Sequence, residues 1–261
     1  MNAYILPLIL TLFAGMSTLL GGFITFFIKR NNLKALSVGL GFSAGVMVYI
    51  SLNELMAEAP QMLRSFYDVI PAKALAFLGF SLGIIIAVAI DFFIPDHIED
   101  DFLNKSAKVQ QRRKIQRAGF ITAVAVTLHN FPEGVATFLV SSHDIRLGIP
   151  VAIAIAIHNI PEGIAIALPI FHATGKKRLA VLYTFLSGIS EPIGGLIGVV
   201  LLKTIMPQQC LGIMTAAVAG IMVYLSFDTL LPLAREYGEN HHVIIGIVSG
   251  MLIMGFGLIF L

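Results

Sequence analysis

The sequence predicts an all-α polytopic membrane protein with eight transmembrane helices, on three observations. The composition is that of a lipid-embedded chain: 261 residues, 57% hydrophobic and only 12% charged, with a mean hydropathy of +0.89, where soluble domains carry about 25% charged residues. Long apolar runs alternate with short polar connections. Stretches of these runs also recur, in pairs, along the chain. A formal net charge of +2 gives no pull toward nucleic acid. The single cysteine, Cys210, rules out an internal disulfide and a thiolate metal cage, and reads as a small apolar filler. Tryptophan is absent, so anchoring at the membrane interface falls to Tyr, Phe and the basic residues.

The apolar runs cover about 4–28, 36–57, 74–94, 118–140, 147–171, 179–203, 211–233 and 243–261, hereafter spans 1 to 8. Each is long enough to cross about 30 Å of hydrocarbon. Span 1 has no basic leader and no small-residue cleavage site, so it reads as a retained helix rather than a signal peptide. Residues 95–117 form the only long polar loop. Loops after the odd-numbered spans hold thirteen Lys and Arg, and those after the even-numbered spans hold four. The basic side faces the cytoplasm, which places both termini outside it.

Three pairs of segments repeat. Ala44-Gly45-Val46-Met47-Val48-Tyr49-Ile50-Ser51-Leu52 in span 2 matches Ala219-Gly220-Ile221-Met222-Val223-Tyr224-Leu225-Ser226-Phe227 in span 7. Gly21-Gly22-Phe23-Ile24 in span 1 matches Gly194-Gly195-Leu196-Ile197 in span 6. His129-Asn130-Phe131-Pro132-Glu133-Gly134 in span 4 matches His158-Asn159-Ile160-Pro161-Glu162-Gly163 in span 5. Spans 1–3 are thus related to spans 6–8, and span 4 to span 5. Each shift is an odd number of spans, so the copies run in opposite directions through the bilayer. Inverted repeats of this kind belong to transporters, whose sites lie near the midplane.

The two hexapeptides carry the chemistry. Residues four apart share a helix face, so His129 points with Glu133 and His158 with Glu162, each flanked by its Asn. Pro132 and Pro161 each remove a backbone donor and are expected to free main-chain oxygens beside that face. A third mid-span carboxylate, Glu191, precedes Pro192. A membrane-centre carboxylate costs roughly 2.5–3.5 kcal/mol, so three unpaired ones cost about 8–10 kcal/mol, comparable to the whole stability of many folds. No Lys or Arg occupies the centre of any span. What remains to neutralise the acids is protons or a bound cation. Three carboxylates and two neutral imidazoles are compatible with one or two divalent ions. Imidazole, amide and carboxylate donors without thiolate suit Zn²⁺, Fe²⁺, Mn²⁺ or Co²⁺, and argue against Cu⁺ and against an all-oxygen Mg²⁺ or Ca²⁺ cage.

At these residues, and at Ser190-Glu191-Pro192, the chain resembles the ZIP family of divalent metal transporters, in particular its short bacterial branch, over all eight spans. The resemblance implies a multi-pass protein of the bacterial inner membrane that moves metal into the cytoplasm, zinc above all, with iron, manganese or cobalt accepted. It implies a two-metal centre. One ion would be held by His129, Glu133, His158, Glu162 and Glu191, and the second by Asn130, Glu133, Asn159, Glu162 and Glu191. It further implies an elevator-like sliding of one helix group against another. Many larger members carry a His-rich loop between spans 3 and 4. Here that loop has only His97 among Asp96, Glu99, Asp100 and Asp101.

Other polar residues mark a candidate path: an entrance at Asn53 and Glu54, at the outer end of span 2, and an exit at Asp228 and Asp91. An intramembrane metalloprotease would want His-Glu-x-x-His, with the Glu as base, and His-Asn-x-Pro-Glu does not supply it. A proton-coupled carrier of an organic solute would use the three Glu but leaves the paired His-Asn steps unexplained. The expected partners are divalent metal ions and the lipid bilayer. Small-xxx-small pairs at Gly41/Gly45, Gly79/Gly83, Gly194/Gly198 and Gly246/Gly250 predict tight helix contacts, within one chain or across a homodimer.

Overall fold

Local chemistry sets where the helices begin, end and break. Asn32 caps span 2 by accepting from the Ala35 amide, and Asp144 caps the helix of span 5 by accepting from the Arg146 amide. That helix ends at Gly175, whose φ of +74° is the left-handed conformation that suits glycine. Arg30, from the loop after span 1, donates to the carbonyls of His172 and Ala173 at 3.2 and 2.7 Å, tying that loop to the end of span 5.

The computed structural model describes residues 4–93, 107–203 and 209–259, and among these there is no strand. Among the described residues, eight helices are long and apolar enough to cross a membrane: Ile5–Phe26, Leu33–Leu63, Val69–Phe92, Val109–His143, Gly148–Thr174, Lys177–Val200, Cys210–Tyr237 and His241–Leu258. They match the eight expected spans, with two differences in extent. Span 2 runs on to Leu63 because a turn of π-helix over Ser51–Leu55 carries it past the polar pair Asn53-Glu54. The helix of span 4 starts at Ala107, well inside the expected loop of residues 95–117, since its basic run is itself helix-forming. The acidic residues of that loop, Asp96 to Asp101 with His97, lie outside the described residues.

Span 7 contains the same interruption as span 2, a π-turn over Ser226–Leu230. Both arise at the same place in the repeat and from the same side chain: Ser51 donates to the Met47 carbonyl at 2.6 Å and Ser226 to the Met222 carbonyl at 2.8 Å. A hydroxyl bonding back to the carbonyl four residues earlier competes with the helix ladder and opens it. Span 6 breaks at Ile189 instead, one residue before Ser190-Glu191-Pro192, because Pro192 has no N–H for the Gly188 carbonyl. Spans 4 and 5 run through Pro132 and Pro161 without a break.

Spans 1, 4, 5 and 6 pack into one bundle; span 2 lies along span 8 and span 3 along span 7. Spans 2 and 7 meet the bundle at spans 5 and 4 respectively. Spans 3 and 8 are peripheral, with only 22% of the most apolar stretch of each buried, against 67% for spans 2 and 5. The glycine stripes are used inside the chain. A Cβ on Gly45 or Gly250 would run into the facing backbone of span 8 or span 2, one on Gly83 into span 7, and one on Gly194 into span 4.

Candidate metal centre

The helix period delivers the hexapeptide side chains to the interface of spans 4 and 5, where all of them are buried: His129, Asn130, Asn159 and Glu162 completely, and His158 and Glu133 nearly so. Each histidine pairs with the glutamate of the other hexapeptide. His129 donates from Nε2 to Glu162 Oε1 at 2.7 Å, and His158 from Nε2 to Glu133 Oε2 at 3.4 Å. Glu191, fully buried on span 6, accepts from the Asn159 amide, which also donates to the Ala14 carbonyl of span 1 at 2.9 Å. Six of the seven expected residues are therefore brought together as three linked pairs drawn from three helices, with Asn130 beside His129. Among the described residues, no three His, Cys, Asp or Glu side chains converge into a ready-made metal cage.

The donor set around these pairs is rich in lone pairs and poor in protons. Buried without a hydrogen-bond partner are the Nδ1 atoms of His129 and His158, Glu133 Oε1, Asn159 Oδ1 and Glu191 Oε2. The end of the Asn130 amide that faces its neighbours lies 3.0 Å from His129 Nε2, 3.3 Å from Glu162 Oε2 and 2.9 Å from the Val126 carbonyl. Glu162 Oε2 and the Val126 carbonyl are acceptors, so the amide turns its NH₂ toward them. The carboxylate, imidazole and amide side chains gathered here are donor types that fit a divalent ion.

The two sides of the centre differ. Toward the end where span 4 finishes and span 5 begins, a cavity of 460 Å³ reaches Glu133 and His158 and is lined further out by Asn53, Glu54, Glu58 and Met62. Glu54 Oε2 is buried there without a hydrogen-bond partner. Toward the other end, apolar side chains fill the bundle, among them Val126, Ile166, Leu168, Phe171, Met222 and Leu230. Ser43 of span 2 donates to the Pro161 carbonyl at 2.6 Å, fixing that wall to the second hexapeptide.

The path residues fall in two groups. Asn53 and Glu54 line the cavity; Asp91 and Asp228 do not. Asp91 is ion-paired with Arg117 at 3.6 Å, and Asp228 lies exposed on the second π-turn. Sequence reasoning missed Glu58. The signal was present, since Glu58 lies one turn beyond Glu54 and therefore on the same face.

A family model described as "ZIP Zinc transporter" matches residues 95–258. Over nearly their whole lengths, curated relatives align with this chain. The zinc transporter ZupT of Clostridium perfringens is 45% identical, covering 99% of this chain and 97% of its own. That of Streptococcus mutans is 47% identical over 96% of each, and that of Oceanobacillus iheyensis 40% identical over the full length of both. The buried His–Glu pairs, the eight spans and these matches lead to one conclusion: the chain belongs to the ZIP family of zinc transporters, a family of transporters rather than enzymes.

Proposed function

We propose that this protein carries divalent transition-metal ions, zinc foremost, across the bacterial inner membrane into the cytoplasm, and that the paired hexapeptides with Glu191 form the transport site. One observation carries the reading. Two cross-helix His–Glu pairs, buried mid-membrane beside unpartnered imidazole, carboxylate and amide atoms, have no Lys or Arg to neutralise them. A cation satisfies the acids and the orphaned lone pairs together. Zinc comes from the names of the relatives; Fe²⁺, Mn²⁺ and Co²⁺ follow from the donor types. Three carboxylates accommodate two ions, with Asn130 and Asn159 as amide ligands of the second.

Matched contacts support an inverted repeat. The Thr18 carbonyl faces Gly163 as the Glu191 carbonyl faces Gly134, and the Ile160 carbonyl faces Gly21 as the Phe131 carbonyl faces Gly194. On this reading the cavity at Asn53, Glu54 and Glu58 is the outer entrance, and the apolar plug closes the inner side. The bundle of spans 1, 4, 5 and 6 then slides, elevator-like, against spans 2, 3, 7 and 8 to expose the site to Asp91 and Asp228. The excess of Lys and Arg after the odd-numbered spans orients the chain with both termini outside. Since the glycine stripes are occupied within the chain, a homodimer would use the lipid-facing sides of spans 3 and 8.

Zinc uptake into proteoliposomes containing a zinc-sensitive dye tests the proposal. Wild type takes up zinc. Glu133→Ala/Glu162→Ala, with its fold intact, does not. Equal uptake by both would make the hexapeptides structural. Addition of Fe²⁺, Mn²⁺ or Co²⁺ slows the zinc signal if the site admits them.

A further inference from the structure

The centre is lopsided in a way its own repeat makes visible. Thr18 and Glu191 lie 173 positions apart, as do Gly21 and Gly194, and Ala14 and Ser187. These positions make the same contacts. The Ala14 carbonyl accepts from Asn159, and the Ser187 carbonyl faces the end of the Asn130 amide at 3.5 Å. The carbonyl of Thr18 faces Gly163, next to Glu162, and that of Glu191 faces Gly134, next to Glu133. On span 1, Thr18 thus occupies the register that Glu191 occupies on span 6. It is fully buried, and its hydroxyl has no hydrogen-bond partner. A Cβ on Gly188 would lie 3.3 Å from the Thr18 Cβ, and one on Gly15 would lie 3.1 Å from the Glu191 Cβ, so spans 1 and 6 are in direct contact here.

We infer that Thr18 is a tuning residue of the metal centre. It is the neutral counterpart of Glu191, and it withholds a fourth carboxylate so that bound ions can leave. This rests on the metal-centre reading above. The reason is charge. Three carboxylates leave two divalent ions with one net positive charge, which favours losing an ion. A fourth carboxylate at position 18 would balance them completely. Affinity in carboxylate-rich sites is set largely by the number of charged ligands. An ion held more tightly in the ground state is released more slowly, so higher affinity comes with lower turnover.

The test is a relocation of the carboxylate in the full-length protein, read by equilibrium zinc binding and by proteoliposome uptake. Thr18→Glu alone binds zinc at least about tenfold more tightly and transports more slowly. Glu191→Thr binds weakly, and the swap Glu191→Thr/Thr18→Glu regains most of the lost affinity. A folded swap that binds no better than Glu191→Thr overturns the inference. Wild-type affinity in Glu191→Thr overturns instead the underlying reading that Glu191 belongs to the centre. Because a buried extra acid can prevent folding, Thr18→Cys in a Cys210→Ser background provides a second readout. With cadmium, a thiolate at this position gives an ultraviolet sulfur-to-metal charge-transfer band. A folded variant that binds cadmium without the band places Thr18 away from the ions and refutes the role.

Discussion

The two His–Glu pairs have the same residues at the same spacing in sister hexapeptides, yet their surroundings differ. His129 and Glu162 are completely buried and 2.7 Å apart. His158 and Glu133 are 3.4 Å apart and face the cavity. What separates them is supplied by other helices. The cavity-facing pair has the polar rim of span 2, with Asn53, Glu54 and Glu58, while the enclosed pair lies outside that cavity, toward the end of the bundle filled by apolar side chains such as Val126 and Ile166. Identical chemistry can therefore be presented to one side at a time by changing what covers it. The alternating access proposed above requires this of the site.

The comparison can be broken most severely at the ligands. His129→Ala and His158→Ala should each lower zinc affinity by more than about 100-fold, because loss of a supporting outer partner alone costs about 10–100-fold in metal sites. If only one histidine matters, the pairs are not equivalent ligands. A smaller effect tests their unequal exposure. In a Cys210→Ser background, His158→Cys should react with a water-soluble thiol reagent on the order of tenfold or more faster than His129→Cys, since only the former position borders the cavity. This protection factor follows the free energy of opening the apolar side. Equal rates would mean that the plug does not seal. Asp228→Ala should slow uptake severalfold while leaving equilibrium zinc binding unchanged, because Asp228 lies outside the cavity and away from the pairs; full uptake would remove it from the path. Glu58→Gln should have the mildest effect, raising the KM for zinc and weakening its dependence on ionic strength, as loss of a charge at a mouth does.

The eight spans were legible because lipid demands long apolar runs, and the run lengths leave little choice. The seven candidate ligands were legible because His, Asn and Glu are costly in those runs, and the helix period fixes which of them share a face. The interruptions were harder to see. The π-turns at Ser51 and Ser226 come with a serine hydroxyl bonding back along the helix, and a mid-helix serine can do this without opening a π-turn, as Ser81 does toward the Phe77 carbonyl. The cross-pairing of each histidine with the other hexapeptide's glutamate was also invisible, since spacing along one helix says nothing about its neighbour. Nor could the sequence show whether the glycine stripes served the chain itself or a second copy. Backbone-to-backbone approach across spans 2 and 8 decides that. Gly45→Leu should accordingly destabilise the fold by about 1–3 kcal/mol, read as earlier thermal unfolding, as overpacking does.

The most direct test of the central claim is X-ray absorption at the zinc edge of the purified, zinc-loaded protein. Ions held by the two hexapeptides and Glu191 give a first shell of nitrogen and oxygen, with the multiple-scattering pattern of imidazole and no sulfur. That pattern disappears in His129→Ala/His158→Ala. A shell of oxygen alone, or one containing sulfur from Cys210 or methionine, would contradict the account and place the metal elsewhere.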